Sequence, residues 1–143
     1  MNKKLWIGFI VVFILMGIFS FVVHGLILSS VYQSEAMRNI WRSDMESKMW
    51  IYYLVYLFIS FFFVLIYSKW NKGKGIAEGI QYGVYVGFMM SVPMAYSTYT
   101  MIPMPYSVAV QWLIYGLIQY IIYGIVVAMI FGKKNTGELS LTG

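Results

Sequence analysis

Four long apolar runs constrain the fold of this chain more than any other feature of its sequence. They cover residues about 5–31, 49–67, 76–96 and 106–131. About 20 apolar residues in a helix cross a hydrocarbon core of about 30 Å. Because lipid satisfies no backbone polar group, such segments cross a bilayer as helices. The sequence therefore predicts an all-α integral membrane bundle, with residues 1–143 as a single transmembrane domain of four helices.

The composition agrees with a membrane protein and excludes several classes of site. The chain is 61% hydrophobic and 10% charged, whereas about a quarter of the residues in a soluble domain are charged. It has no cysteine and one histidine, which excludes disulfides, thiolate catalysis and a metal site made of cysteine or several histidines from one chain. No catalytic triad or phosphate-binding loop is recognisable. We expect no enzymatic activity, no cofactor and no metal.

The basic residues lie beside the apolar runs, where they act as topology signals. Seven of the ten would lie on one side of a four-span protein, namely Lys3, Lys4, Lys69, Lys72, Lys74, Lys133 and Lys134. The positive-inside rule then places both termini in the cytoplasm. The first run is too long for a signal peptide and no small-residue cleavage site follows it, so we expect it to be retained. The expected location is the inner cell membrane. We expect the basic residues to contact lipid and not nucleic acid.

The third run carries a glycine at every fourth position, continued by Ser91 and Ala95. In a soluble helix each glycine costs about 1 kcal/mol relative to alanine, but in a bilayer a row of small residues lets a second helix approach closely. The fourth run has small residues of its own. We predict that the two rows pack together, chiefly through Gly124 and Ala128. The predicted packing residues are Gly75, Gly79, Gly83, Gly87, Gly116, Gly124 and Ala128.

Polar side chains form a stripe on each of the same two predicted helices. Such stripes avoid lipid, so we expect them to face a common interior, as a polar pocket, a permeation route or a hydrogen-bonded seam. The residues of this predicted interior are His24, Glu78, Gln81, Tyr85, Gln111, Tyr115 and Gln119. Glu78 has two interpretations. It is a carboxylate that binds protons or cations, or it complements the helix macrodipole and pairs with Lys72 or Lys74.

His24 is the one histidine and lies about two turns inside the end of the first predicted helix. An ionisable residue at membrane depth is a candidate functional group. One interpretation is a neutral imidazole hydrogen-bonded to Gln111, Tyr96 or Ser97 on a neighbouring helix. The other is axial haem ligation, which needs a second ligand from a methionine or from His24 of another subunit.

The connection between the first two predicted helices carries apolar residues at helical spacing. Met37, Ile40, Trp41 and Met45 predict a short amphipathic helix on the outer membrane surface. Ser43 and Glu46 match a capping box for the second predicted helix. In the third predicted helix Pro93 removes one backbone hydrogen bond and predicts a kink.

Several features follow one another along the chain in a definite order: His24-Gly25, Trp41-Arg42, the glycine row, Pro93, and Trp112 followed by Gly116 and Gly124. This order resembles small uncharacterised bacterial four-helix membrane proteins grouped as a domain of unknown function. The resemblance implies a four-helix bundle and carries no activity. The glycine row, the uncharged connection 97–106 and the lack of a recognisable catalytic set lead us to expect an accessory or structural subunit that packs with itself as an oligomer or with a larger membrane complex. The alternative is a small oligomeric transporter or channel.

Overall fold

The computed structural model describes residues 2–132, and these form helices and no strand. Lys133 and Lys134, which the orientation argument uses, lie outside the described residues. Three helices are long: α5 has 21 residues, and α6 and α7 have 26 each. The first helix continues into a π-helical segment over Phe21–Ile27, which we call the π segment. The α-helices are α1 (Lys3–Ser20), α2 (Ser29–Tyr32), α3 (Glu35–Arg38), α4 (Met45–Lys48), α5 (Trp50–Trp70), α6 (Ile76–Met101) and α7 (Tyr106–Phe131).

Three of the helical stretches are long and apolar enough to cross a membrane. They are Lys3–Ile27, Met45–Trp70 and Tyr106–Phe131. The α6 helix has the length, at about 1.5 Å per residue, but its glycines, hydroxyl side chains and Glu78 make it less apolar than the other three. The structure thus shows an all-helical chain with three apolar spans, one fewer than the four transmembrane helices predicted.

The closest helix pair in the molecule is α6 with α7, which run antiparallel. A Cβ atom built on Gly79 would lie 2.6 Å from the Ala128 Cβ, and one built on Gly116 would lie 2.9 Å from the Ser91 Cβ. Near the other end of the same pair, Ala95 and Ala109 belong to one buried cluster. Small residues therefore line this interface, which we call the seam, over most of its length.

The α1 helix packs on α5 and α7, and its contacts define two ends of the bundle. At one end the Lys4 Nζ donates to the Phe131 carbonyl over 2.7 Å, capping α7. This end also carries the turn from α5 to α6, and we call it the basic end. At the other end lie residues 28–49 and the 102–105 turn, which we call the cap end. Between them the Tyr56 hydroxyl of α5 donates to the Ser20 Oγ over 2.7 Å.

The connection between the π segment and α5 differs from its prediction. It forms three single turns, α2, α3 and α4, and the last two stand where one amphipathic helix was predicted. Met37 is fully buried with Met104 and Val108 at the cap end, so this connection packs on the bundle through a side chain that was expected to face lipid. The predicted capping box is absent, because Asp44 occupies the N-cap of α4 and its side chain makes no capping bond.

Other predicted boundaries shift for identifiable reasons. Gly75, predicted to pack within the third helix, lies before α6 as its N-cap with φ +79°, a left-handed conformation that favours glycine. Pro93 lies inside α6, which continues to Met101 rather than ending near residue 96. The boundaries of α7 coincide with those predicted.

Candidate functional site

The cap end holds a small polar cluster made by three aromatic side chains. The His24 Nδ1 lies 2.5 Å from the Tyr32 hydroxyl, and the Trp112 Nε1–H donates to the same hydroxyl over 2.7 Å. The His24 and Tyr32 rings are stacked at 11° with centroids 5.8 Å apart. The Trp112 ring meets both of them edge-on. One phenol thus links the end of the first helix to the start of α7.

One tautomer of His24 satisfies all the donors and acceptors of this cluster. An indole N–H can only donate, so Trp112 occupies a lone pair of the Tyr32 oxygen. The phenolic proton is then available to His24, whose Nδ1 accepts it and whose Nε2 carries the ring proton. This arrangement satisfies the indole, the phenol and Nδ1 together.

The local backbone brings His24 and Tyr32 together. In a straight α-helix, residues eight apart lie about 12 Å apart along the axis. Here the π segment alters the helical rise around His24, and its last bond runs from the Leu28 N–H to the Val23 carbonyl over 2.8 Å. The chain bends at Leu28 before α2 begins. Single-turn π segments of this kind are frequent at functional sites.

Packing around Tyr32 keeps the cluster partly shielded from solvent. Trp41 meets the Tyr32 ring edge-on, with centroids 5.2 Å apart. Burial raises the pKa of Tyr32 to about 12, although the Trp112 hydrogen bond opposes this change. The phenol therefore keeps its proton at neutral pH and stays a donor to His24.

The predicted partners of His24 were wrong. Tyr96 instead pairs with the Tyr106 hydroxyl at 3.4 Å, and the contact to His24 comes from Tyr32 of the following turn. The available signal was Tyr32 itself, a phenol a few residues after the histidine. Sequence reasoning missed it because the approach depends on the π segment and the bend, which the residue pattern does not reveal.

Glu78 is buried, 3% exposed, and holds the turn between α5 and α6. Its Oε1 accepts from the Lys72 backbone N–H at 2.6 Å and its Oε2 from the Lys74 backbone N–H at 2.9 Å. Gly75 is the N-cap, so Glu78 is the third helical residue, the position from which a glutamate reaches back in a capping box. Glu78 was expected to pair with Lys72 or Lys74, and it contacts both through their backbone N–H groups. This contact holds the turn in place.

Gln81 and Tyr85 do not face the interior that was predicted for them. Both are exposed, and the Gln81 Nε2 donates to the Tyr85 hydroxyl over 3.0 Å. Helix geometry explains this outcome, because residues two apart lie about 200° apart around the axis. Once Gly79 and Gly83 contact α7, Gln81 and Tyr85 must face away from it.

The polar stripe on α7 is half-buried. Gln111, Tyr115 and Gln119 all have intermediate exposure. The Gln119 Nε2 lies 3.4 Å from the Tyr123 hydroxyl of its own helix, to which it donates. The hydrogen bonds of the two stripes thus stay within their own helices, Gln81 with Tyr85 on α6 and Gln119 with Tyr123 on α7.

The predicted small residues of α6 and α7 do come together. A Cβ on Gly83 would lie 2.6 Å from the Ile121 Cα, and a Cβ on Gly124 would lie 3.0 Å from the Gly83 nitrogen. On Gly87 it would lie 3.2 Å from a Leu117 side-chain carbon. The contact is backbone against backbone toward the basic end and looser toward the middle.

Two cavities open at the surface of the described residues. One, of about 240 Å³, lies between α5 and α6 and is lined by apolar side chains and Tyr82. The other, of about 280 Å³, lies where the cap end meets α5. Neither is lined by a residue of the predicted polar interior.

The described residues contain no group of three or more metal-ligating side chains. Comparison with known proteins adds no identity, since no family model, curated protein or solved structure matches this chain. The cluster of His24, Tyr32 and Trp112 offers one imidazole, one phenol and one indole N–H. Chemically it can hold helices in register or relay a proton.

Proposed function

We propose that this chain is a four-helix integral membrane protein in which α6 also crosses the bilayer. The support is the antiparallel seam, which pairs the segment Gly79–Ala95 of α6 with Ala109–Ala128 of the apolar span α7. Sixteen residue steps in a helix cover about 24 Å, most of a hydrocarbon core of about 30 Å. A helix bound so closely to a spanning helix lies at the same depth.

The distribution of charge supports an orientation. Among the described residues, the basic end carries Lys3, Lys4, Lys69, Lys72 and Lys74, with Glu78 as its acidic residue. The cap end carries three basic and three acidic side chains, which balance. By the positive-inside rule the basic end faces the cytoplasm, so both chain ends lie on that side of the inner membrane.

Within that membrane, the function that the geometry supports best is that of an accessory or structural subunit. The observation that carries it is the hydrogen-bonded pair Gln81–Tyr85, which points away from the bundle. Tyr85 is 59% exposed, and on the proposed spanning helix α6 it would lie within the hydrocarbon core. Polar side chains at this depth face protein or water rather than lipid. A helix of another subunit, from a second copy or a larger complex, would cover this pair.

The apolar cavity between α5 and α6 supports the same proposal. It is bounded on the α6 side by Tyr82, Val86 and Met89, which neighbour Tyr85 around the helix. Here α5 and α6 stand apart, because aromatic rings fill the space between them: the Tyr82 and Phe63 centroids are 4.8 Å apart. A furrow of this shape beside an outward polar pair is a surface that a transmembrane helix can fill.

The transport alternative has less support in a single chain. A pathway needs polar side chains that share an interior, and the two stripes face different directions. The Glu78 carboxylate accepts two backbone N–H groups, so it is engaged in holding a turn. A channel would have to form between copies, which makes association the first property to test.

The test measures the association state in lipid nanodiscs and in mild detergent. We expect an oligomer or a complex of constant stoichiometry, and we expect Gln81→Leu combined with Tyr85→Phe to shift it toward the monomer. Tyr53→Phe is the matched control, because Tyr53 is 60% exposed on α5 and makes no comparable polar pair. A wild-type chain that is monomeric in both media would overturn the proposal.

A further inference from the structure

The second cavity follows one face of the helix that enters the bundle at the cap end. Its wall contains Tyr52 and Val55, which are three residues apart and so share one face of α5. Lys48 of α4 continues the wall one turn before Tyr52. Trp41 and Arg42 of the preceding connection close its upper part. The cavity, which we call the cap furrow, therefore runs parallel to the axis of α5 over about two turns.

Charge in the cap furrow is of one sign and lies at one end. Arg42 and Lys48 contribute to its wall, and no carboxylate does. Both cations contact Asp44 outside the wall: Arg42 donates through Nε and Nη2, and the Lys48 Nζ lies 3.3 Å from Oδ2. The contact with Arg42 holds the pKa of Asp44 below its usual range. One positive charge remains uncompensated among these three groups.

The two cations keep hydrogen-bonding capacity for an anion. A guanidinium has five N–H donors and an ammonium has three, and Asp44 takes two from Arg42. The side chains are accessible, since Arg42 is 62% and Lys48 41% exposed. Arginine presents its donors as a planar fork that matches phosphate oxygens.

Below the cations the wall of the cap furrow becomes apolar, through Ile51 and Val55. Trp41 and Tyr52 stand at the transition, and these residue types are enriched at the membrane–water interface. The Trp41 ring is itself held by Tyr32, so this part of the wall is supported by the cluster around His24. A positive end, an aromatic border and an apolar furrow parallel to a spanning helix match the order of groups in a phospholipid.

We infer that the cap furrow binds one anionic glycerophospholipid, with its phosphate on Arg42 and Lys48 and the start of one acyl chain along Ile51 and Val55. The volume of about 280 Å³ suits a headgroup and the first methylenes, at the small end of ligand sites, roughly 300 Å³. The inference rests on the proposed membrane-spanning position of α5 and not on association between subunits.

Native mass spectrometry of the purified chain, titrated with phosphatidylglycerol or phosphatidylethanolamine, tests the inference. We expect one phosphatidylglycerol to be retained preferentially, and the affinity to fall about fivefold for each cation removed, in Arg42→Gln and in Lys48→Gln. Arg38→Gln is the control, since Arg38 is exposed in the same connection and does not line the furrow. Far-UV circular dichroism confirms that each variant folds.

Two further measurements distinguish a lipid site from a site that binds phosphate alone. Glycerol 3-phosphate should not displace the lipid, and Val55→Asn should weaken lipid binding, because the acyl chain contributes. Displacement by glycerol 3-phosphate would show a phosphate site without a lipid and overturn the inference. Equal retention of the two lipids, or unchanged binding in both cation variants, would also overturn it. The same spectra report subunit number, so a lipid-binding monomer would refute the proposed association while leaving this inference standing.

Discussion

The seam between α6 and α7 and the contacts of the first helix hold the same bundle by opposite means. In the seam, backbone meets backbone: the position of a Cβ on Gly83 is 2.6 Å from the Ile121 Cα. The first helix is held through side chains, such as Tyr56 to Ser20 and the hydroxyl that joins His24 to Trp112. The seam depends on glycines, because the lack of a side chain lets the two backbones meet. The contacts of the first helix depend on side-chain hydrogen bonds.

The seam and the side-chain contacts of the first helix tolerate different substitutions. Adding one methyl group to the seam forces two helix backbones apart, and a helix backbone cannot rotate out of the way as a side chain can. Removing one oxygen from a side-chain contact leaves the packing intact but deprives its partners of a hydrogen bond. The seam should therefore be most sensitive to an added methyl group, and the first helix to a removed hydroxyl group. The loss in the free energy of unfolding should be larger in the seam.

The largest effect is expected for Gly83→Ala. Its new methyl group meets the backbone of Tyr120 and Ile121, so we expect the free energy of unfolding to fall by roughly 3 kcal/mol, the upper part of the usual range for overpacking. Unfolding of the purified protein in mixed micelles, followed by circular dichroism, measures it. A loss below about 1 kcal/mol would mean that the seam can open without cost.

Two other glycines serve as controls for this prediction. A Cβ on Gly8 would meet side chains and no backbone, with the end of Val64 at 2.9 Å and a Phe131 ring carbon at 3.8 Å, and one on Gly17 would meet nothing within 4 Å. We expect Gly8→Ala to cost less than Gly83→Ala. Gly17→Ala should raise the free energy of unfolding by up to about 1 kcal/mol through helix propensity. Equal losses at all three positions would refute the distinction between the regions.

The second effect is expected for Tyr32→Phe at the cap end. It removes the acceptor of Trp112 and the partner of His24 while keeping the ring, so we expect a loss of about 1–3 kcal/mol for groups left without a partner. The same unfolding measurement applies, with Tyr53→Phe as the exposed control. Because the first helix would lose its link to α7, hydrogen exchange should increase in the π segment and not in the seam.

The pH dependence of stability gives an independent reading of Tyr32. Burial raises its pKa from 10 to about 12, so the folded state disfavours the phenolate. Its contribution to stability is therefore complete below pH 10 and is lost as the pH rises from 10 toward 12. The difference in stability between wild type and Tyr32→Phe should shrink over that interval. A constant difference would show that Tyr32 is not shielded as the structure indicates.

The smallest effect is expected for Tyr82→Phe, where α6 faces α5 instead of α7. The Tyr82 hydroxyl donates to the Phe63 carbonyl over 2.6 Å, and polar contacts between membrane helices average about 0.6 kcal/mol. The aromatic packing around the ring stays in place. A loss in the free energy of unfolding as large as that of Gly83→Ala would show that the packing of α5 and α6 depends on this one bond. It would contradict the expected difference between the seam and the side-chain contacts.

Much of the fold was readable from local patterns. The boundaries of α7 follow from a mainly apolar run without charged residues after Pro105, and the spacing of Gly79 and Gly83 marks the face that contacts α7. The outward position of Gln81 and Tyr85 was also implied, since residues two apart on a helix face nearly opposite directions. The prediction of a common interior overlooked this angle.

The candidate site was less accessible to sequence reasoning. His24 was singled out as the one histidine, but its partner depends on the π segment and on the bend at Leu28. A shift of one backbone hydrogen bond rotates everything that follows, and no residue pattern specifies it. Met37 shows the same limit, because an apolar side chain at helical spacing fits a lipid surface and a buried cluster equally well.

The amino-acid sequence alone was enough to predict the long apolar helices, the turns between them, and the helix face that is lined with small residues. These properties depend on composition and on spacing within about 20 residues. The folded structure was needed to show that the cap end packs on the bundle and that Tyr32 joins His24 to Trp112. Met37 and Tyr32 meet residues far along the chain, and these contacts depend on angles between helices that no local pattern contains. The contacts of Glu78 and of His24 with Tyr32 are short-range, but they depend on the conformation of a turn and of the π segment.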